Sequence, residues 1–300
     1  MIPSGLLRTI PISLEHGLAY GLVALGIVIT FRILAFPDLT VDGSFPLGAA
    51  VVSRLIIEGV SPIYGIFMAI ICGFLAGCCT GFLNTKLKIN SLLAGILMMT
   101  MLYSVNLRIM GRSNIQLLTV NTLLTPLENL DINRFIPIIT FFFIVVFAIK
   151  FLTDMFLHTQ IGFAMRATGD NEQMIRTLGV NTDHMTLLGL GISNAFVALS
   201  GALVAQDQGF SDVGMGIGMI VAGLASIIIG EALFGKKTVQ RMTLAAIVGS
   251  IIYKLIISLG LRLGLAPTDL KMATAVMVIL ALGIPALRKE KEGKLHLRGV

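Results

Sequence analysis

Charge is scarce in this chain. Only 13% of its 300 residues are Asp, Glu, Lys or Arg, where a soluble globular domain carries about a quarter. Cysteine is scarcer still: Cys72, Cys78 and Cys79 are the whole complement, and all three fall in one apolar run. Adjacent cysteines rarely bridge, and a membrane-buried thiol behaves as a small hydrophobe, so neither a disulfide nor a metal site is expected. The four histidines (His16, His158, His184, His296) are scattered at the ends of apolar runs and in the tail. The sequence has no Gly-x-Ser-x-Gly, no His-Glu-x-x-His and no Cys-x-x-Cys. Lacking any such catalytic constellation, it does not read as an intramembrane enzyme.

Apolar residues make up 56% of the chain, and they come in runs of the length, about 20 residues, that crosses a bilayer core. The runs are 17–36, 62–84, 90–111, 135–157, 184–206, 215–234, 242–262 and 271–287. A weaker one at 45–59 carries Arg54 and Glu58, spaced to pair on one helix face inside a bundle; it is read as a tilted span, with a short re-entrant or interfacial helix as the alternative. The first run has no basic leader or small-residue cleavage site, so it is expected to stay as a span. The fold class expected is an all-α polytopic membrane protein of about nine transmembrane helices, with one transmembrane domain over 1–287 and a basic tail at 288–300.

Orientation follows from lysine and arginine in the connecting loops. Lys86, Lys88, Arg166, Arg176, Lys236, Lys237 and Arg241, with Arg288, Lys289, Lys291, Lys294 and Arg298 of the tail, make twelve on one side. Arg8, Arg112, Arg134 and Lys271 make four on the other. The first set, including segment 158–183 and the C-terminus, is placed in the cytoplasm, and nine spans then put the N-terminus outside. The formal net charge of +6 is an orientation signal and does not point to nucleic acid.

Gly73, Gly77 and Gly81 form a doubled small-xxx-small stripe, as do Ala222, Ser226 and Gly230; such stripes let helix backbones approach closely. Two interruptions are more informative. Residues 36–46 read FPDLTVDGSFP and 206–216 read QDQGFSDVGMG. Matching breaks in two halves point to an inverted repeat with its pathway at the repeat interface. The halves are about 17–111 and 184–287, and Asp38, Asp42, Asp207 and Asp212, with Asn194, are the pathway candidates. The stretch GEALFGKK at 230–237 resembles a phosphate-binding loop but has Lys237 where the magnesium-binding hydroxyl belongs. Gly235 is expected to end a helix there, and the chain is not expected to bind ATP by itself.

Residues 159–183, TQIGFAMRATGDNEQMIRTLGVNTD, form the longest cytoplasmic connection. Asp170 as N-cap, Gln173 three later and Gly179 as a left-handed stop predict a short amphipathic helix over 170–179. Met174, Ile175 and Leu178 share one face, with Arg176 beside them. A two-turn ridge buries little area on lipid headgroups, so a groove in a partner protein suits it better.

Gly162, Ala164, Arg166, Ala167, Gly169, Asn171, Gly179 and Asp183 resemble the coupling-helix region of bacterial ABC-importer permeases of the branched-chain amino-acid and ribose type. The opening GLAYGLVALGIVITFRILAF with DLTVDGSFPLGA is also similar to that group, and the latter wording to a subgroup assigned to amino-acid uptake, aromatic amino acids included. The resemblance covers roughly 15–287. It implies no cofactor in this chain and ATP and Mg in cytoplasmic ATPase partners. It also implies an extracytoplasmic substrate-binding protein meeting 112–134 and 206–214, and a second permease copy in a homodimer at the bacterial inner membrane. The coupling residues it implies are Gly162, Arg166, Ala167, Gly169, Asp170, Asn171, Met174, Ile175, Leu178 and Gly179. A bulky acid at Gly169 or Arg166 is expected to uncouple transport without unfolding the bundle. The competing expectation is an ion-coupled secondary transporter using Arg32, Arg54, Glu58, Asn106, Lys150, Asn194 or Lys254.

Overall fold

The computed structural model describes residues 4–128, 135–235 and 237–262, together with residues 264, 269, 272, 274–276 and 279. The ninth expected run, 271–287, and the tail 288–300 therefore lie wholly or largely outside the described residues. In chain order the elements are α1 (Ser4–Ile27), continued by a π-helical turn (Val28–Ile33), α2 (Val41–Ile57), α3 (Pro62–Thr85), α4 (Ser91–Met110), β1 (Asn114–Gln116), α5 (Thr125–Glu128), α6 (Phe135–Leu157), α7 (Gln160–Asp170), α8 (Glu172–Thr177), α9 (Thr182–Gln208), β2 (Phe210–Asp212), α10 (Met219–Phe234) and α11 (Val239–Arg262).

Local sequence sets the ends. Pro62 opens α3, where its missing N–H costs nothing. Asn90 and Asn181 cap α4 and α9 by accepting from Leu92 N at 3.0 Å and His184 N at 3.3 Å. Gly111 and Gly209 close the same helices in the left-handed conformation.

Among the described residues, six helices are long and apolar enough to cross a bilayer: Ile10–Ile33, α3, α4, α6, α9 and α11. The expected spans 45–59 and 215–234 take a different form. They correspond to α2 and α10, of 17 and 16 residues, and at 1.5 Å per residue each covers about 25 Å, short of the hydrocarbon thickness. Both follow broken segments, because chain spent on the break is lost to the helix. Arg54 and Glu58 do pair, at 2.7 Å, but at the exposed end of α2 and not inside the bundle: the pair sits where the helix runs out of apolar neighbours.

α1 and α9 form the centre; 78% of each apolar window is buried, against 17% for α6. The outer helices show Phe67, Tyr103, Ile144 and Phe151 on their exteriors, the surface that lipid tails would cover. Between the central helices, polar glue replaces hydrophobic drive. Ser193 Oγ donates to Gly26 O at 2.8 Å and Ser200 Oγ to Ala19 O at 2.7 Å, while Ser250 Oγ of α11 reaches Gly17 O at 2.7 Å. These pairings make α1 and α9 antiparallel. The glycine stripe of α3 lies on α9, Gly73 against Asn194 and Ala198, Gly77 against Leu190 and Gly81 against Leu187. On α10 and α11, Gly230 meets the Ala245 carbonyl and Gly249 the Ser226 carbonyl.

Two ends of the bundle result. One carries α7, α8 and the starts of α9 and α11. The other carries a two-stranded antiparallel ribbon in which Asn114, Ile115 and Gln116 pair with Asp212, Ser211 and Phe210, so the connections after α4 and α9 are joined.

Candidate coupling and translocation sites

At the α7 end, Thr159 Oγ1 accepts from Gly162 N at 3.2 Å and starts α7. Gly162 is buried against the Leu157 backbone. Arg166 places its guanidinium 5.4 Å from the Phe163 ring centre, and the Ala167 carbonyl receives Asn171 N at 3.0 Å. The cap of the next helix differs from the sequence expectation. Asp170 is the last residue of α7, and Asn171 caps α8, its Oδ1 accepting from Met174 N at 3.0 Å. An N-cap needs extended backbone, and Asn171 has it (φ −157°, ψ 94°), whereas Asp170 is still inside the preceding helix. The helix expected over 170–179 is thus the single turn and a half of α8, and α7 is a second, longer helix that the sequence pattern does not separate.

The ridge is present. Met174 is 62% and Leu178 67% exposed, while Ile175 is partly covered. Gly179 has φ +85°, the left-handed stop. Arg176 does not stand free beside the ridge: it bonds Thr182 Oγ1 and Asp183 Oδ1 at 2.6 Å each and Glu172 at 2.8 Å, bracing α8 against α9. Lys86, 3.7 Å from Asp183, adds the α3 end to this knot.

Gly169 also has a packing role. It packs directly on the Ile33 carbonyl, at the end of the π-turn, so any side chain there collides with backbone. A bulky acid at Gly169 therefore disrupts packing as well as any coupling; Arg166, partly exposed, remains a surface position. On the same turn Arg32 pairs with Glu231 of α10 at 2.6 Å. In the sequence Arg32 stands out only as a polar residue at depth; nothing local to it signals a partner 199 residues away.

The five pathway candidates do not converge on one point. Asp38 and Asn194 meet, Asn194 Nδ2 donating to Asp38 Oδ2 at 2.7 Å, while Asp38 Oδ1 accepts from Thr40 N at 2.9 Å. Both are buried, and Asn194 stands near the middle of α9. Residues 34–40 thus return from the end of the π-turn to mid-depth, carrying irregular backbone where only protein can satisfy it. Asp42 sits in the first turn of α2 and accepts from Gly218 N and Ile220 N at 2.9 Å each, capping α10. Asp207 lies 3.5 Å from His16, and Asp212 binds Gly214 N at 2.8 Å in the ribbon; both serve the far end. The two broken segments do touch, with Gly216 against Asp42 and Pro46, so the first turns of α2 and α10 abut and the helices then run in opposite senses.

Other polar groups noted at depth have partners: Asn106 donates to Gly43 O at 3.1 Å, and Lys150 bonds Asp154, which also accepts from Thr243 at 2.7 Å. Lys254 is the exception in kind, resting 3.3 Å from the Tyr20 ring centre. Gly235 ends α10 with φ +72°, so an α-helix, not a strand, leads into Lys237.

Residues 12–283 match the family described as "Branched-chain amino acid transport system / permease component". The chain belongs to that family. It is the permease subunit of an ATP-binding-cassette importer for a small solute, a multi-pass inner-membrane protein, and no comparison supports an ion-coupled mechanism. The permease is 48% identical over 266 residues to a tyrosine transport system permease protein of Clostridioides difficile, covering 89% of this chain and 88% of that one. An uncharacterized protein of Rickettsia prowazekii is 38% identical over 274 residues, covering 90% and 95%. Among solved structures, PsaBC from Streptococcus pneumoniae in complex with Fab aligns over 92% of this chain and 90% of its own, with a TM-score of 0.52 and 15% identity. That likeness concerns the fold alone. Membership of such a transport system implies ATPase and binding-protein partners.

Proposed function

We propose that this permease carries an amino acid, of the aromatic class, through a pathway formed by two copies of the chain. ATP and Mg are held in the ATPase partner, which docks on the ridge of Met174 and Leu178. The observation that carries the reading is the connection behind that ridge. α8 is braced to α9 by Arg176, and α7 presses Gly169 onto Ile33, the last residue of the π-turn before the mid-depth segment 34–40. Movement of the ridge with the ATPase groove reaches the interior through two contacts. A ligand shifts a two-state equilibrium only by its differential affinity for the states, and ATP binding supplies that difference at the α7 end, displacing the elements as rigid bodies.

The charge asymmetry of the loops supports a cytoplasmic α7 end and C-terminus. The opposite senses of α2 and α10, with first turns in contact, support an inverted repeat. The ribbon end then receives the loaded binding protein. The amino-acid cargo rests on the tyrosine-permease relative.

The test is reconstitution of the permease with its ATPase and binding protein in proteoliposomes. Uptake of radiolabelled L-tyrosine is expected to need internal ATP and to survive a protonophore. Uptake without the ATPase would overturn the coupling assignment; ATP-driven uptake of other solutes but never of an aromatic amino acid would overturn the cargo.

A further inference from the structure

The basic side chains that reach into the bundle end on carboxylates, as Arg32 does on Glu231 and Lys150 on Asp154. Lys254, in the middle of α11, does not. Among the described residues its partner is an aromatic face, the Tyr20 ring at 3.3 Å. A cation on a ring face is partly compensated, yet its N–H groups keep the capacity to bind an anion.

Space for one is beside it. A cavity of about 380 Å³ is lined by Tyr20, Met219, Ala222, Tyr253, Lys254 and Ile257. Its walls are largely apolar, with one ammonium and two phenol rings among the polar features, the make-up of a small-molecule site. Gly218 and Met219, which open α10 under the Asp42 cap, form one wall. The cavity therefore adjoins the point where the two broken segments meet. A solute that fits has a carboxylate at one end and an aromatic or aliphatic body at the other.

We propose that this cavity is a solute-binding site on the pathway, in which the Lys254 ammonium receives the carboxylate of an amino acid or similar monocarboxylate. Its apolar body lies between the tyrosine rings and the α10 wall. The assignment deepens the amino-acid reading above and rests on it for the identity of the cargo, not for the chemistry of the site.

Two measurements test it. In proteoliposomes of the complete importer, Lys254→Met is expected to lower L-tyrosine uptake by about tenfold or more, the loss expected on removing a charge-assisted contact. Solute-free ATP hydrolysis should stay at the wild-type rate, and Lys254→Arg should keep most of the uptake. Wild-type uptake by a well-folded Lys254→Met importer would overturn the proposal. The second measurement does not depend on cargo. The chain has no tryptophan, so Val221→Trp, on the cavity wall, gives the full-length permease in nanodiscs a single tryptophan that can be excited apart from the tyrosines. Its fluorescence is expected to respond saturably to phenylacetate, not to tyramine, and to lose the response with Lys254→Met. No response to phenylacetate, or an equal one to tyramine, would overturn the site. A carboxylate response in a permease that transports no aromatic amino acid would support the site and remove only the cargo reading.

Discussion

Asp42 and Gly218, 176 residues apart, are joined at 2.9 Å, and through this bond and its twin to Ile220 the first turn of α2 caps the first turn of α10. The free N–H groups that open any helix need acceptors, and in the bundle interior water cannot supply them. One carboxylate satisfies two of them and compensates the positive end of the α10 dipole.

Asp42→Ala is accordingly expected to destabilise the permease by about 1–2 kcal/mol, and Asp42→Asn by less, since one acceptor survives. Thermal unfolding followed by size-exclusion of the detergent-solubilised protein reads the difference. An alanine variant as stable as wild type would show that the cap carries no weight.

The Asp38–Asn194 pair calls for a double-mutant cycle. Asp38→Ala leaves one N–H of the buried Asn194 amide without its acceptor, at a cost of about 1–3 kcal/mol, and Asn194→Ala leaves Asp38 Oδ2 without its donor. With both removed the loss should be clearly smaller than the sum, because the two unpaired atoms vanish together. Simple additivity in the melting data would mean that the two side chains do not interact.

At the α7 end, two variants separate packing from docking. Gly169→Ala places a Cβ on the Ile33 carbonyl and should lower both the melting temperature and uptake. Leu178→Asp, on a side chain 67% exposed, should leave stability within about 0.5 kcal/mol of wild type while ATPase co-purification and uptake are lost. Retention of the ATPase by Leu178→Asp would move the docking surface elsewhere.

Close helix contact predicts a steep contrast between two small changes. Ser200→Ala removes one interhelical bond and should cost about 0.6 kcal/mol. Gly77→Val drives a side chain onto the Leu190 carbonyl and should cost at least the about 1–3 kcal/mol of an overpacked core, seen as loss of monodisperse protein on size-exclusion.

Much of this fold could be read from the chain because run length in a bilayer is a local property. The apolar stretches at 62–84, 90–111 and 135–157 became α3, α4 and α6 with boundaries within a residue or two. The glycine stripe of α3 lies against a neighbour, as close spacing of small residues suggested. Depth is not a local property, however. Hydropathy marked 45–59 and 215–234 as apolar but did not show that α2 and α10 begin inside the bundle, since that depends on where 34–40 and 213–218 are held. The geometry of the candidate site was legible to the same degree. Met174 and Leu178 were placed on one exposed face by their spacing, and Gly179 by its stop. The boundary between α7 and α8 depended on one backbone conformation at Asn171, which composition does not encode. The Lys86–Asp183 contact, the Arg32–Glu231 bridge and the three-residue ribbon all join segments distant in sequence, and no pattern near any of them announces its partner.

That ribbon has a mechanical result. With Ile115 bonded opposite Ser211, the connections after α4 and α9 cannot travel separately. Only the short stretch from Val213 to Gly218 separates this ribbon from the head of α10. A displacement applied to the rim is thereby handed, over six residues, to a helix start held by Asp42.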